Sequence, residues 1–212
     1  MTKKYNTIIE HYEQCFEKYG DNHLGVDWPN EKDVETRFKV MLDLIAFDQL
    51  GKKHENIQLL DFGCGASHFY KYIVKNNLTN INYTGLDISD KFIDFCKEKY
   101  PNNDYYCVDI LEAPVQLPVF DYLILNGVFT EKREMSFEDM FLYFKEMIKK
   151  VWEISKRGIA FNIMSSQVDW ERDDLFHLSL EPLSQFLCKE VSRNFIVRND
   201  YGLYEYTVYV YK

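Results

Sequence analysis

Leu59-Leu60-Asp61-Phe62-Gly63-Cys64-Gly65-Ala66-Ser67-His68-Phe69-Tyr70-Lys71-Tyr72 is the stretch whose reading decides the fold. An apolar run ends in an acid, turns through two glycines, and resumes at helical spacing with Phe69, Tyr72 and Ile73. That pattern predicts a buried strand, a tight turn and a helix. Lacking a Cβ, Gly63 and Gly65 let a ligand approach the backbone, and the helix start beyond them offers free N–H groups to an anion. The turn is not a dinucleotide fingerprint, because that motif needs a third glycine three residues after the second, where this chain has His68. Asp61 instead sets a carboxylate two residues before the first glycine, where it would welcome a cationic ligand group.

Downstream, strands and helices alternate. Strands are predicted at 82–87, 105–108, 120–125 and 159–164; Ser89 and Ser136 are placed to cap helices, and Gly158 to end the long one that Ser136 starts. Such alternation implies a parallel sheet with right-handed crossovers. The end differs: 195–199 and 204–211 read as strands joined by the short link 200–203, which allows only antiparallel pairing. Upstream, Tyr5, Ile8, Ile9, Tyr12, Phe16 and Tyr19 recur at helical spacing, and so do Phe38, Met41, Leu42 and Ile45.

At 212 residues the chain suits one domain with a full core. Its net charge of −9, with no long run of Lys or Arg, argues against nucleic acid as a partner. Five scattered cysteines without a Cys-x-x-Cys pair argue for a reduced, cytosolic protein with neither a disulfide frame nor a metal site. No apolar run approaches the roughly 20 residues of a spanning helix, and the N-terminus does not read as a leader.

The glycine turn with its acid resembles motif I of class I S-adenosylmethionine-dependent methyltransferases. The likeness extends over nearly the whole chain. It implies a Rossmann-like α/β fold: a seven-stranded, mostly parallel sheet with one antiparallel strand, in which N-terminal lid helices (1–50) cover the cofactor mouth of a core at 57–212. Asp61, Asp87 and Asp109 end successive strands and should converge at the carboxyl edge of the sheet. By resemblance, Asp61 and the backbone at Gly63 and Gly65 hold the methionine end, and Asp87 with Ile88 takes the ribose. Asp109 and Ile110 read the adenine, and Arg37 aims at the methionine carboxylate. Arg37 reads equally as a solvated charge on a helix face. Leu125-Asn126-Gly127-Val128-Phe129 occupies the motif IV position but lacks the prolines of enzymes that methylate DNA bases, which leaves Asn126 and Phe129 to line the sulfonium pocket.

For the acceptor, 160–169 and 198–206 look like stretches of small bacterial methyltransferases of capsule or O-antigen synthesis, some proposed to methylate capsular phosphoramidate. His68 departs from the acid expected at its position. The implied activity is O-methylation of a small saccharide or of a phosphate- or phosphoramidate-bearing precursor. Two alternatives stay open: a non-catalytic partner protein that keeps the cofactor pocket, and an N-methyltransferase of a small amine. A sugar hydroxyl needs a general base, for which His68 and His23 are the candidates with His177 behind them, whereas an ionised phosphate oxygen needs none. An anionic acceptor would instead draw on His23, His68, Arg37 or Arg198 as donors. Trp28, Tyr70 and Tyr201 are candidate acceptor walls. Expected partners are a small or nucleotide-linked acceptor and, weakly, a second copy of the chain.

Overall fold

The computed structural model describes residues 4–48, 56–112 and 116–212. Two N-terminal helices, α1 (Asn6–Tyr19) and α2 (Glu31–Asp48), flank a short 3₁₀ turn at His23–Val26. Then follow β1 (Ile57–Phe62), α3 (His68–Lys75), β2 (Ile81–Asp87), α4 (Asp90–Lys99), β3 (Asp104–Cys107), β4 (Phe120–Phe129), α5 (Phe137–Glu153) and β5 (Ser155–Ser165). The two-residue β6 (His177–Leu178), α6 (Leu180–Phe186), β7 (Phe195–Arg198) and β8 (Glu205–Tyr211) complete the chain. The outer ends of the expected lid, 1–3 and 49–50, lie outside the described residues.

The sheet runs β3-β2-β1-β4-β5-β8-β7, and β8 alone is antiparallel to its neighbours, as the short link into it requires. This is the seven-stranded path expected, with β6 added as a parallel partner of β5. Period-2 alternation sorts the strands onto two faces. Leu60, Leu123, Leu125, Phe161, Val208 and Val210 pack with α5 and α6, while Leu59, Tyr122, Ile124, Ala160, Tyr209 and Tyr211 pack with α2 and α3. Every residue of β8 is buried, because both faces are covered. Its tyrosines keep their hydroxyls satisfied on backbone carbonyls: Tyr209 donates to Val40 O and Tyr211 to Leu44 O at 3.0 Å on α2, and Tyr206 to Leu178 O at 3.0 Å on β6.

Gly158 does not end α5. That helix stops at Glu153, and Gly158 lies inside β5 opposite Tyr211, where a Cβ would stand 2.9 Å from Val210 O. Close strand packing, rather than helix termination, is what needs a glycine there. The stop signal was misplaced because β5 begins at the buried Ser155, before any apolar run. The caps stand as expected: Ser89 Oγ accepts from Phe92 N–H at 3.4 Å and Ser136 Oγ from Asp139 N–H at 3.1 Å.

Candidate functional site

Strand ends and N-terminal elements enclose one deep cavity at the carboxyl edge of the sheet. Its volume of about 160 Å³ far exceeds the roughly 10–15 Å³ one buried water needs, so it suits an organic ligand. Asp61, Asp87 and Asp109, from the ends of β1, β2 and β3, all line it. So do Gly63, Gly65, His68, Ile88, Ile110, Asn126 and Trp28. α1 contributes Tyr5, Ile8, Ile9 and Tyr12, and the turn contributes Val26. α2 reaches the cavity through Phe38, but the rest of its apolar face fills the core.

The glycine turn is built as its sequence demands. Gly63 and Gly65 adopt φ of 72° and 49°, where a side chain would be strained, and a Cβ on Gly63 would stand 2.7 Å from Val128 Cγ2. Gly63 and Cys64 donate their N–H groups to Leu86 O at 2.7 and 3.0 Å, which ties the turn to β2. Asp87 accepts from Gly65 N–H at 2.9 Å and from Ser89 N–H at 3.0 Å. Each of its oxygens thus spends one acceptor site on the backbone, and a carboxylate has about four such sites in all. Asp109 accepts from Tyr5 OH at 2.6 Å, which anchors the start of α1 over the adenine end expected from the sequence.

The site is electrically negative. Burial raises the Asp61 carboxyl to about 7; the Tyr83 hydroxyl, donated at 2.7 Å, opposes the rise and the charge of Asp87 adds to it. Burial likewise pushes Asp87 up, against the pull of the backbone N–H groups of Ser89, Gly65 and Ile88. Carboxylates held at such cost are stabilised by a cationic or multiply donating ligand.

At the opposite wall, β4 runs on past Leu125, and its register with β5 breaks between Leu125 and Phe129. This irregularity turns Asn126 and Gly127 out at the sheet edge, a recurrent way to aim a residue at a site. Asn126 Oδ1 is buried without a hydrogen-bond partner. Such an acceptor is costly unless a ligand donor meets it. Gly127, at φ 83°, lies against Trp28, and a Cβ there would be 2.8 Å from Trp28 Cζ2.

Behind this wall runs a buried polar chain that the sequence reading missed. Gly127 N–H donates to Asn162 Oδ1 at 2.7 Å, Asn162 Nδ2 donates to Glu205 Oε1 at 2.9 Å, and Arg37 Nε donates to both Glu205 oxygens at 3.0 and 2.9 Å. The Arg37 guanidinium also stacks on Trp28 at 4.0 Å. Arg37 therefore does not line the cavity. It serves Glu205 and braces Trp28, because Glu205, 1% exposed on β8, is a buried carboxylate that requires a cation. A Glu and an Asn among the apolar residues of β8 and β5 were the signal that could have revealed this chain.

His68, at the start of α3, faces the cavity and pairs with Asp21 at 2.8 Å. Hydrogen bonds from Lys99 and His68 outweigh burial and keep Asp21 below the usual carboxylate range, so the ionised Asp21 accepts from His68 Nε2–H and leaves Nδ1 as the acceptor. Burial lowers the His68 pKa below the ordinary 6.5 despite the opposing pull of Asp21.

The remaining sequence candidates lie elsewhere. His23 donates Nδ1–H to Trp28 O at 2.6 Å and shapes the turn, outside the cavity wall. His177 uses both nitrogens, donating to Ser165 O at 2.7 Å and accepting from Arg172 N–H at 3.2 Å. Tyr70 packs between Tyr83 and Tyr100, and Phe129 is fully buried against Phe144 and Phe161. Arg198 pairs with Asp43 and Asp200, and the Tyr201 hydroxyl meets Thr207 at 2.9 Å. None of the four lines the cavity: Tyr70 and Phe129 are taken up in aromatic packing, and the polar ends of Arg198 and Tyr201 find partners within the chain. Tyr5 and Tyr12, not singled out as site residues within the expected lid helix, are cavity wall; the same spacing serves a core and a pocket.

A family profile described as a methyltransferase domain matches residues 60–148, which carry all three acids, the glycine turn and Asn126. A Mycobacterium tuberculosis protein provisionally named a methyltransferase, Rv1506c, is 27% identical over 159 residues, covering 72% of this chain and 91% of that one. Among solved structures, the magnesium protoporphyrin IX methyltransferase ChlM of Synechocystis PCC 6803, with bound S-adenosylmethionine, superposes with a TM-score of 0.66 at 12% identity over 100% of this chain and 98% of that one. The plantazolicin methyltransferase BpumL, in complex with S-adenosylhomocysteine and a desmethyl analogue, does so with 0.64 at 15% identity over 100% and 99%. With a negative cavity at its glycine turn and a methyltransferase-domain profile over the strands that end there, the chain has the Rossmann-like fold of S-adenosylmethionine-dependent methyltransferases and is similar to them over nearly its whole length.

Proposed function

We propose that this enzyme methylates an oxygen of a small saccharide, free or nucleotide-linked, in the cytosolic synthesis of capsular or other surface polysaccharide. The likeness of 160–169 and 198–206 to methyltransferases of such pathways supports the substrate class. Five free cysteines fit a cytosolic site of action, and among the described residues no helix is long and apolar enough to cross a membrane.

The residues present fit the cofactor. Asp61 and the open backbone at Gly63 and Gly65 suit its methionine end, and the unused acceptor sites of Asp87 suit a ribose diol. Asp109 and Ile110, with Ile88 beside them, suit the adenine, and the lone Asn126 Oδ1 offers an acceptor to a buried donor. When bound, S-adenosylmethionine supplies a methyl group on a positively charged sulfur. The chain's part is to hold the acceptor oxygen in line with that methyl, exclude water and take up the hydroxyl proton.

The observation that carries the choice of acceptor is the His68–Asp21 pair. A neutral imidazole at the cavity wall, with Nδ1 free to accept and Nε2 held by a carboxylate, can take a hydroxyl proton at neutral pH. A phosphate or phosphoramidate oxygen would call instead for cationic donors. Arg37 is bound to Glu205, and Arg198 to Asp43 and Asp200, so a sugar hydroxyl is the better match.

The test is transfer of label from methyl-labelled cofactor to a panel of nucleotide-linked sugars, phosphoramidates and amines. We expect label on a sugar oxygen, with a rate that rises with pH to a plateau reached below the ordinary histidine range. Label on nitrogen or on a phosphoramidate oxygen, or a rate that shows no acidic limb at any pH below that range at which the protein stays folded, overturns the reading.

A further inference from the structure

We propose that His11, Cys15 and Asp27 bind one divalent metal ion of the zinc type, and that the ion fastens α1 to the turn that carries Val26 and Trp28. His11 and Cys15 are four residues apart on α1, so they share one face of the helix. Asp27 closes the 3₁₀ turn in the left-handed region, φ 54°, a conformation an L-residue rarely adopts, and its N–H is held by Leu24 O at 3.1 Å. That geometry brings Asp27 Oδ2 to 2.8 Å from His11 Nε2, while Cys15 Sγ stands 3.8 Å from the same nitrogen. One donor atom from each residue lies within 4.8 Å of the other two. Ligands at bond lengths of about 2.0–2.3 Å around a tetrahedral ion stand roughly 3.3–3.8 Å apart, so small side-chain shifts would seat one.

The donor set is chemically matched. An imidazole nitrogen, a thiolate and a carboxylate suit a borderline-soft ion, and the two negative ligands balance a 2+ charge. On binding, Cys15 releases its S–H proton to solvent, and His11 gives up its hydrogen bond to Asp27 by taking the Nδ1–H tautomer, which frees the Nε2 lone pair for the ion. The surroundings favour a cation too. Glu131, 6% exposed, lies close enough for the charges of Asp27 and His11 to act on it, and the nearby Arg133 is shared between Glu131 and Asp174 at 3.4 Å each. An entry path exists, since the side chains of His11 and Asp27 are 18% and 38% exposed.

The site is distinct from the cofactor residues yet adjoins their walls. Tyr12, beside His11, lines the cavity and donates to Gly127 O at 3.4 Å; Val26 and Trp28, either side of Asp27, line it as well. An ion here would hold two wall segments in register and leave a fourth coordination position open.

The test uses tag-free, full-length protein stripped with chelator, titrated calorimetrically with zinc chloride and spectroscopically with cobalt(II). We expect one zinc per chain and a near-ultraviolet sulfur-to-cobalt charge-transfer band. Cys15→Ser should abolish the band, Asp27→Asn should weaken zinc binding by roughly tenfold or more, and Cys188→Ser should change neither. Binding of S-adenosylmethionine by each variant in zinc-free buffer reports that it has folded. Absence of zinc binding by the parent protein, or a band that survives Cys15→Ser, overturns the proposal. Because metal binding is read without cofactor or acceptor, its failure leaves the methyltransferase assignment untouched.

Discussion

Replacing Asp61 with Asn should stabilise the free protein while it weakens the cofactor. Asp61 is 3% exposed, accepts one hydrogen bond from Tyr83, and is raised from 3.8 to about 7 chiefly by burial. Because the folded-state pKa lies above the unfolded one, the native state holds more protons than the unfolded chain between about pH 4 and 7. Stability from this group is therefore greatest below pH 4, is lost as pH rises through that window, and is flat above it. At 1.36 kcal/mol per pKa unit, the rise corresponds to about 4 kcal/mol of destabilisation at pH 8. An amide oxygen can still accept from Tyr83 and carries no charge. Asp61→Asn should thus unfold at higher urea than the parent at pH 8, by an amount approaching that value, with the difference vanishing near pH 4. The same change removes a charged acceptor for the cofactor, worth about 2 kcal/mol or roughly thirtyfold in dissociation constant by calorimetry at pH 8. An Asn variant no more stable than the parent at pH 8, or one that binds S-adenosylmethionine as tightly, would refute the idea that Asp61 is a strained carboxylate kept for a cation.

Asn126→Ala should leave the stability of the free protein nearly unchanged, because Oδ1 has no hydrogen-bond partner among the described residues, but should weaken cofactor binding roughly tenfold in calorimetry. His68→Gln should lower kcat far more than it changes cofactor affinity and should erase the acidic limb of the pH–rate profile. Asp21→Asn removes the partner that raises the His68 pKa, so it should move that limb to lower pH. Glu205→Gln strips Arg37 of its buried partner and should cost about 3 kcal/mol in urea unfolding, with weaker cofactor binding as Trp28 and Gly127 lose their brace.

Legibility followed physical range. Asp61, Asp87 and Asp109 were readable because each stands at or just past the end of a strand, and strand ends of a parallel sheet share one edge whatever the rest of the chain does. Gly63, Gly65 and Asn126 followed from turn chemistry and the end of β4. Arg37 and His23 stand outside the cavity wall because a side chain's partner depends on which distant strand or carbonyl it meets. Glu205 lies 168 residues from Arg37, and no local pattern couples the two. The proposed metal ligands escaped for a related reason. Cysteine spacing alone argues against a zinc site, whereas His11 and Cys15 need Asp27, sixteen residues beyond His11, brought back by a left-handed turn.

By itself the sequence determined the class of fold, the glycine turn and the three acids, since periodicity and chirality act over a few residues and leave one topology for such a pattern. Tertiary structure alone decided which charges are free to meet a ligand. Burial forces each buried ion to find a partner, and that competition drew Arg37 to Glu205 and Arg198 to Asp43 and left Asn126 without one in the cavity.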